Sequence, residues 1–301
     1  MKIPQSLVAI SLFVSTLSLS AFAQDDDFND GNSEGWSELA PLAAVGVTAT
    51  YTFPEGNRYR LQSAPSTNED AFGPARMGSI REDVSYTDFY QFVDVVEMDE
   101  TLDQNIGMLA RVSDVGLGTT DGYGLTYNPT EQSMFLTAIT NEAGTTVGMV
   151  DAPVAPGEPV RLVFQGVGDS FKCELYRLSD LETPVATIEE TDSTYGEGFS
   201  GILLTSDPAD TPIGVDCTFD NYLATQSEPS GFSLIAMRLE GDRLVFDFNS
   251  VPNARYILRK SDDLIHWDEE TDDIRGALAL TTRFSILKPA VACRYYEIRE
   301  P

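Results

Sequence analysis

The sequence predicts an all-β chain: an antiparallel two-sheet jelly-roll sandwich followed by a small C-terminal β-sandwich domain. Three observations carry this. Between Val45 and Leu223, runs of β-branched and aromatic residues recur about every 10 to 20 residues, cut by Gly, Pro, Asn and Asp. Helical periodicity is almost absent over the same span, so no crossover helices exist to build a parallel sheet. The last 70 or so residues repeat the pattern on a smaller scale.

The chain opens with Lys2, an apolar run from Leu7 to Leu19, and Ala21-Phe22-Ala23. This is the layout of a secretory signal peptide, with cleavage expected after Ala23, so residues 1–23 are read as a leader and the protein as secreted. No later stretch approaches the length of a membrane span, and no membrane insertion is expected.

Strand signals come in order: "VTATYTF", "RYRLQS", "YTDFYQFVDVVEM", "IGMLARV", "YGLTY", "SMFLTAIT", "TTVGMV", "PVRLVFQGV", "SFKCELYRL", "PVATIEE", "FSGILLTS" and "GVDCTFDNYLA". "GVGDSFKCELY" reads as a hairpin turning at Gly168-Asp169. The segment "TQSEPSG" is linker-like, giving a first unit over 24–225, a linker at 226–231 and a small module over 232–301. Within that module, "FSLIAMRLEGDRLVFDFNS" reads as a hairpin around Gly241-Asp242. Trp267, with His266 beside it, is expected to plug its core.

Charge supports the same division. The formal net charge is −29, yet residues 232–301 hold 12 acidic and 10 basic side chains. Almost all the excess acid therefore lies in the first unit. Such a surface repels phosphate backbones and anionic headgroups, which excludes nucleic acid as a partner class and leaves neutral sugars and divalent cations. Solubility alone also accounts for the acidity. Of three cysteines, Cys173 and Cys217 lie in strand-like runs of one unit, where a disulfide and two buried thiols are both compatible with export. The single histidine excludes a His-rich zinc site.

"DDDFNDGNSEGW", "YTDFYQFVDVV", "IGMLARV", "DGYGLTYN", "FSGILLTS" and "CTFDNYLA" stand in the order seen in bacterial concanavalin A-like lectin/glucanase domains, which residues 24 to 225 resemble. The tail, with "YILRKSDDLIHW" and "RYYEIR", is similar to small β modules that end exported proteins of Verrucomicrobia-type bacteria. The resemblance implies a glycan or polysaccharide ligand and often a structural calcium ion. First and last strands of a jelly roll commonly lie side by side, which would gather Asp26 and Asp27 near Asp220 and Asn221. These oxygens are the expected calcium ligands, a hard cation needing neither nitrogen nor sulfur. A solvated acidic edge is the plainer alternative.

For sugar binding, alternation turns Phe89, Val93 and Val95 inward, and Tyr90, Phe92 and Asp94 outward. Arg111 is expected on the same outward face, with Tyr123 and Tyr127 sharing a face, so Tyr90, Asp94, Arg111, Tyr123 and Tyr127 are the expected ligand-binding groove. Ordinary cross-strand aromatic pairing explains the tyrosines equally.

No catalytic residue is assigned. The glucanase pattern E-x-D-x-x-E is nearest to "EMDETL", with Glu97 and Asp99 present but Leu102 where the second Glu belongs. Glu97, Asp99 and Glu100 read as a polar turn. The expectation is thus a secreted, non-catalytic, carbohydrate-binding protein. A glycoside hydrolase on the same scaffold and a structural or adhesion module without small ligand are the alternatives.

Overall fold

Alternating apolar and polar side chains give each strand one face to bury, and two sheets bury those faces against each other. A computed structural model describes residues 24–54, 58–65, 73–206, 213–229, 234–250, 255–262, 264–276, 281–287 and 295–299. The expected leader, residues 1–23, and Cys293 lie outside these. Among the described residues there is one short 3-10 turn, Pro41–Val45, and otherwise strands. No helix among them is long and apolar enough to cross a membrane.

The first sheet (sheet A) has eight strands. From one edge they run β13 (Ala186–Thr191), β12 (Ser170–Arg177), β11 (Val160–Val167), β6 (Phe89–Met98), β15 (Val215–Thr225), β4 (Tyr59–Ser63) and β3 (Ala49–Thr52). The short β1 (Gln24–Asp26) pairs with β15 beyond the end of β4, setting Asp26 opposite Tyr222. Opening and closing strands are therefore neighbours, as the sequence predicts. The second sheet (sheet B) runs β10 (Ala143–Asp151), β9 (Ser133–Thr140), β8 (Asp121–Asn128), β7 (Gln104–Ser113), β14 (Gly198–Ser206), β5 (Arg76–Tyr86) and β2 (Ser37–Leu39). All pairings are antiparallel, and the fold is a jelly-roll sandwich.

Between the sheets lies one continuous core, including Val93, Val95, Met108, Tyr123, Leu125, Tyr127, Phe164, Cys217, Phe219 and Tyr222. Cys173 and Cys217 are both buried free thiols, and burial pushes both above the usual thiol range. The Gly168-Asp169 hairpin forms as expected, with Val167 opposite Ser170 and Gly168 in the left-handed region at φ 55°.

In the tail, β16 (Leu234–Glu240), β17 (Arg243–Asn249) and β20 (Thr281–Leu287) form one small sheet. A second contains β19 (Asp268–Arg275), β18 (Arg255–Ser261) and β21 (Tyr295–Arg299). Their separate core is Phe246, Phe248, Tyr256, Leu258, Ile274 and Ile298. Trp267 is not in it: the ring is half-buried with the Arg259 guanidinium 5.8 Å from its centroid. Tyr256 and the phenylalanines fill the space expected for the tryptophan.

At one end of the large sandwich Arg111 acts as a clasp. Its guanidinium is buried and donates to three backbone carbonyls, those of Thr87 (2.9 Å), Tyr195 (2.8 Å) and Gly168 (2.6 Å). These belong to three separate turns. The cation also lies 5.6 and 5.2 Å from the ring centroids of Phe89 and Phe171. Removing it strands three carbonyls at once. Arg111→Met is expected to lower unfolding free energy by about 3 kcal/mol, read from urea melts. A midpoint equal to that of the wild type would show that the three turns hold without the clasp.

Candidate functional site

Three regions bear on function: the seam between the terminal strands, the outer face of sheet A, and the outer face of sheet B. At the seam, Asp26 is committed inward. Its Oδ2 accepts the indole N–H of Trp36 (2.8 Å) and its Oδ1 the Phe28 N–H (2.8 Å), while burial raises its pKa. Trp36 in turn packs edge-on against Tyr222, centroids 4.7 Å apart. Asp27 Oδ1 accepts the Asn29 N–H. The four-residue calcium clamp expected from the sequence thus does not assemble as a unit, because Asp26 serves the core aromatics. Among the described residues no group of three Asp, Glu, His or Cys is placed to hold a metal ion.

What does converge is a bulge in β15. Asp220 pairs with Asp94 but Leu223 already pairs with Phe92, so Asn221 and Tyr222 together oppose one residue. Asn221 takes a left-handed φ of 49°, and the parity of the strand switches. Val215, Cys217 and Phe219 face the core before the bulge; Tyr222 and Ala224 face it afterwards. Asn221 donates Nδ2–H to Asp94 Oδ2 (2.8 Å), while its buried Oδ1 has no hydrogen-bond partner. Asp220 beside it is pushed up to about 6, chiefly by burial and further by the charges of Asp94 and Asp27, against a pull from Arg58.

Asp94 itself is fully buried. Arg161, directly opposite on β11, grips it through Nε–Oδ1 (2.7 Å) and Nη2–Oδ2 (3.0 Å), with its guanidinium 4.2 Å from the Phe92 ring centroid. Tyr90, half-buried, packs with Tyr176 against Phe92, Val163 and Leu223, and burial pushes its phenol up to about 12. Alternation predicts the outward direction of Tyr90 and Asp94 on sheet A, and the structure agrees. The five-residue groove does not form, however. Arg111, Tyr123 and Tyr127 belong to sheet B, and all three are buried. Tyr123 and Tyr127 share a face, but it is the core face. Tyr123 donates to Asp192 Oδ1 (2.6 Å) there, and Arg111 is spent on the three turn carbonyls it clasps.

The glucanase-like segment is the end of β6, Glu97 and Met98, followed by a polar turn from Asp99. Asp99 Oδ1 accepts from the Thr101 hydroxyl (2.6 Å) and N–H (3.0 Å), which lowers its pKa, and Glu97 pairs with Arg58 at the surface.

An open concavity lies instead on the outer face of sheet B, a groove of about 530 Å³ that crosses the sheet from Leu39 on β2 to Thr146 on β10. Two ladder rows make its floor. One runs Gly78, Leu203, Gly107, Thr126, Phe135; the next runs Ile80, Gly201, Leu109, Gly124, Thr137, Thr146. Leu203 is flanked on both sides by glycine, and so is Leu109. A Cβ at Gly107 would collide with the Leu125 carbonyl, and one at Gly201 with the carbonyl of Ser79. The floor is therefore low and aliphatic, with Leu39 and Ile139 completing the apolar patch. Along one side stand Arg76, Thr205 and Asn105, successive neighbours in a third row. Among the described residues, no hydrogen bond engages the side chains of Asn105, Thr126 or Thr137, which leaves their amide and hydroxyls available to a ligand.

The described carboxyls of the groove are Glu131, exposed at the rim, and Glu142. Both oxygens of Glu142 are taken by Arg76, Nε–Oε1 at 3.0 Å and Nη2–Oε2 at 2.7 Å, and Oε2 also accepts the Gly118 N–H. Sequence reasoning missed this groove because it tracked the tyrosines of "DGYGLTYN". The signal was in the opposite parity: the single glycines of "GMLAR", "YGLTY" and "SGILL" fall on one face and leave it without bulk.

No family model and no curated protein matches the chain. Among solved structures, the carbohydrate-binding module CBM66 from Bacillus subtilis aligns at 17% identity and TM-score 0.46, over 64% of this chain and 95% of that one. Lectin II from Ulex europaeus aligns at 10% and 0.44, over 69% and 99%. A β-1,3-1,4-glucanase (lichenase) derived from a mouse hindgut metagenome aligns at 12% and 0.46, over 67% and 98%. At such identities and scores the likeness does not extend to ligands or chemistry.

Proposed function

We propose that this chain binds a glycan in the groove across sheet B. The supporting observation is the make-up of that groove: an aliphatic floor for the C–H faces of sugar rings, Phe135 as an aromatic neighbour, and unengaged amide and hydroxyl groups from Asn105, Thr126 and Thr137 to meet ligand hydroxyls. Hydrolysis finds less support. A glycosidase needs two carboxyls working on one bond, and Glu142 has both oxygens committed to Arg76. Export, which the expected leader implies, would put the binding outside the cell.

A second reading rests on the orphaned Asn221 Oδ1. Asp27, Asp220 and that carbonyl oxygen are the hard donors a calcium ion takes, with water completing six or more ligands. The ion would be structural, neutralising the Asp220 charge and engaging an oxygen that otherwise stays unpaired.

Two measurements test these readings. With the mature protein on an array of neutral polysaccharides, Asn105→Ala and Phe135→Ala should each weaken binding about tenfold, or about 1.4 kcal/mol. Undiminished binding by both variants would move the site elsewhere. For the cation, pH supplies the sign. Without metal, the folded state holds the Asp220 proton up to about pH 6 while the unfolded chain releases it near 4, so stability falls as pH rises between the two. Asp220→Asn should therefore gain roughly 1 to 2 kcal/mol at pH 8 in EDTA. Added calcium should raise the wild-type melting temperature and leave that of the variant unchanged. A wild-type melt indifferent to calcium removes the second reading.

A further inference from the structure

Arg76 is the one cation among the described residues lining the groove, and the protein gives it no freedom to meet an anionic ligand. Glu142 holds it in a two-pronged ion pair, and its remaining arm, Nη1, donates to the Pro74 carbonyl (2.9 Å). The pair is sheltered, the two side chains being 15% and 9% exposed. Glu142 itself sits where glutamate is unfavourable. Thr140 pairs with Ala143, so Asn141 and Glu142 are the two residues of a hairpin turn, both left-handed at φ 52° and 63°. The second position of such a turn favours glycine. Strain of this kind persists where surrounding contacts over-determine it, and here Arg76 and the Gly118 N–H anchor the carboxylate.

We propose that Glu142 is a specificity-determining residue: by engaging Arg76 it withdraws the groove's one described cation and restricts the groove to uncharged polysaccharides, rejecting those built from uronic acids. This deepens the glycan-binding reading and rests on it. Glu142 acts through Arg76 rather than by touching the sugar. Freed of its partner, the same guanidinium would present a planar fork matched to a sugar carboxylate.

The experiment compares neutral glucan and xylan with polygalacturonate in affinity gel electrophoresis, using the mature wild type, Glu142→Gln and Glu142→Gly. The glycine variant restores the residue the turn prefers, so it keeps the comparison open if the glutamine variant does not fold. The wild type should bind a neutral polymer and ignore polygalacturonate, at low and at high ionic strength alike. Either folded variant should gain at least tenfold in retardation by polygalacturonate. Three results overturn the assignment while leaving glycan binding intact: wild type retarded by both polymers, folded variants that gain nothing, or wild-type rejection that vanishes at high salt. The last would make the bulk charge of the chain the cause. A wild type retarded by no polysaccharide overturns the glycan reading, and this inference with it.

Discussion

The pairing of the chain's opening strand with β15 constrains how both sheets close. It places Asp26 against Tyr222 and brings Trp36 over the end of sheet A, where Phe28, Trp36, Tyr59 and Tyr222 pack with ring centroids 4.7 to 6.2 Å apart. Closing the sandwich there needs Tyr222 on the inner face, yet strict alternation from Phe219 would turn it outward. The bulge at Asn221 resolves this conflict by inserting one residue and switching parity. The cost is local: a non-glycine residue at positive φ, an unpaired amide oxygen, and a carboxyl pushed toward neutrality. The acidic seam is first a device for closing the fold, and any cation there is a consequence of that geometry.

The described terminal strands of the unit, β1 and β15, both belong to sheet A, and sheet B is built from strands that lie between them in sequence. Its outer face carries alternating leucine and glycine, an arrangement that leaves neither a bulky ridge nor an empty hole. Leu39 lies over Gly78, and Ile139 and Leu203 lie over Gly124, so aliphatic side chains cover floor positions that have none of their own. Those glycines are held by backbone crowding as well as by the groove. At Gly78, Gly107 and Gly201 a Cβ meets a carbonyl of the adjacent strand, so the glycines also let the strands approach closely.

Strand spacing, hairpin glycines and the contact of terminal strands were legible in the sequence because each is fixed by local chemistry or by the number of strands. Side-chain direction was legible along β6 from Phe89 to Val95, where alternation holds. It failed for the site in two ways. The tyrosines of β8 suit a core or a sugar-stacking face equally, and only the small residues of the other parity, Gly124 and Thr126, set the phase of the strand. Arg111 carries a charge that alternation assigns to solvent, but three turn carbonyls satisfy it in the interior. Its partners lie in turns distant in sequence, which no spacing along β7 could reveal. Trp267 misled for a related reason: a large ring is expected inside, yet the small module fills its core with tyrosine and phenylalanine.

Two buried arginines show how differently the same charge is used. On sheet A, Arg161 faces Asp94 in a matched pair stacked on Phe92, and Asn221 takes up the carboxylate's remaining capacity. On that face the charges of Asp94 and Arg161 balance each other and are withdrawn from solvent. On sheet B, Arg111 has no carboxylate partner within hydrogen-bond range among the described residues and is held by carbonyl dipoles, so burial lowers its pKa. Satisfying it consumes polar groups at the end of the sandwich rather than in the groove. The floor between is left with neutral donors and acceptors on an aliphatic base. A ligand that fits such a surface must be rich in hydroxyls and poor in charge, because a charged group laid there would lose its water without meeting a counter-ion.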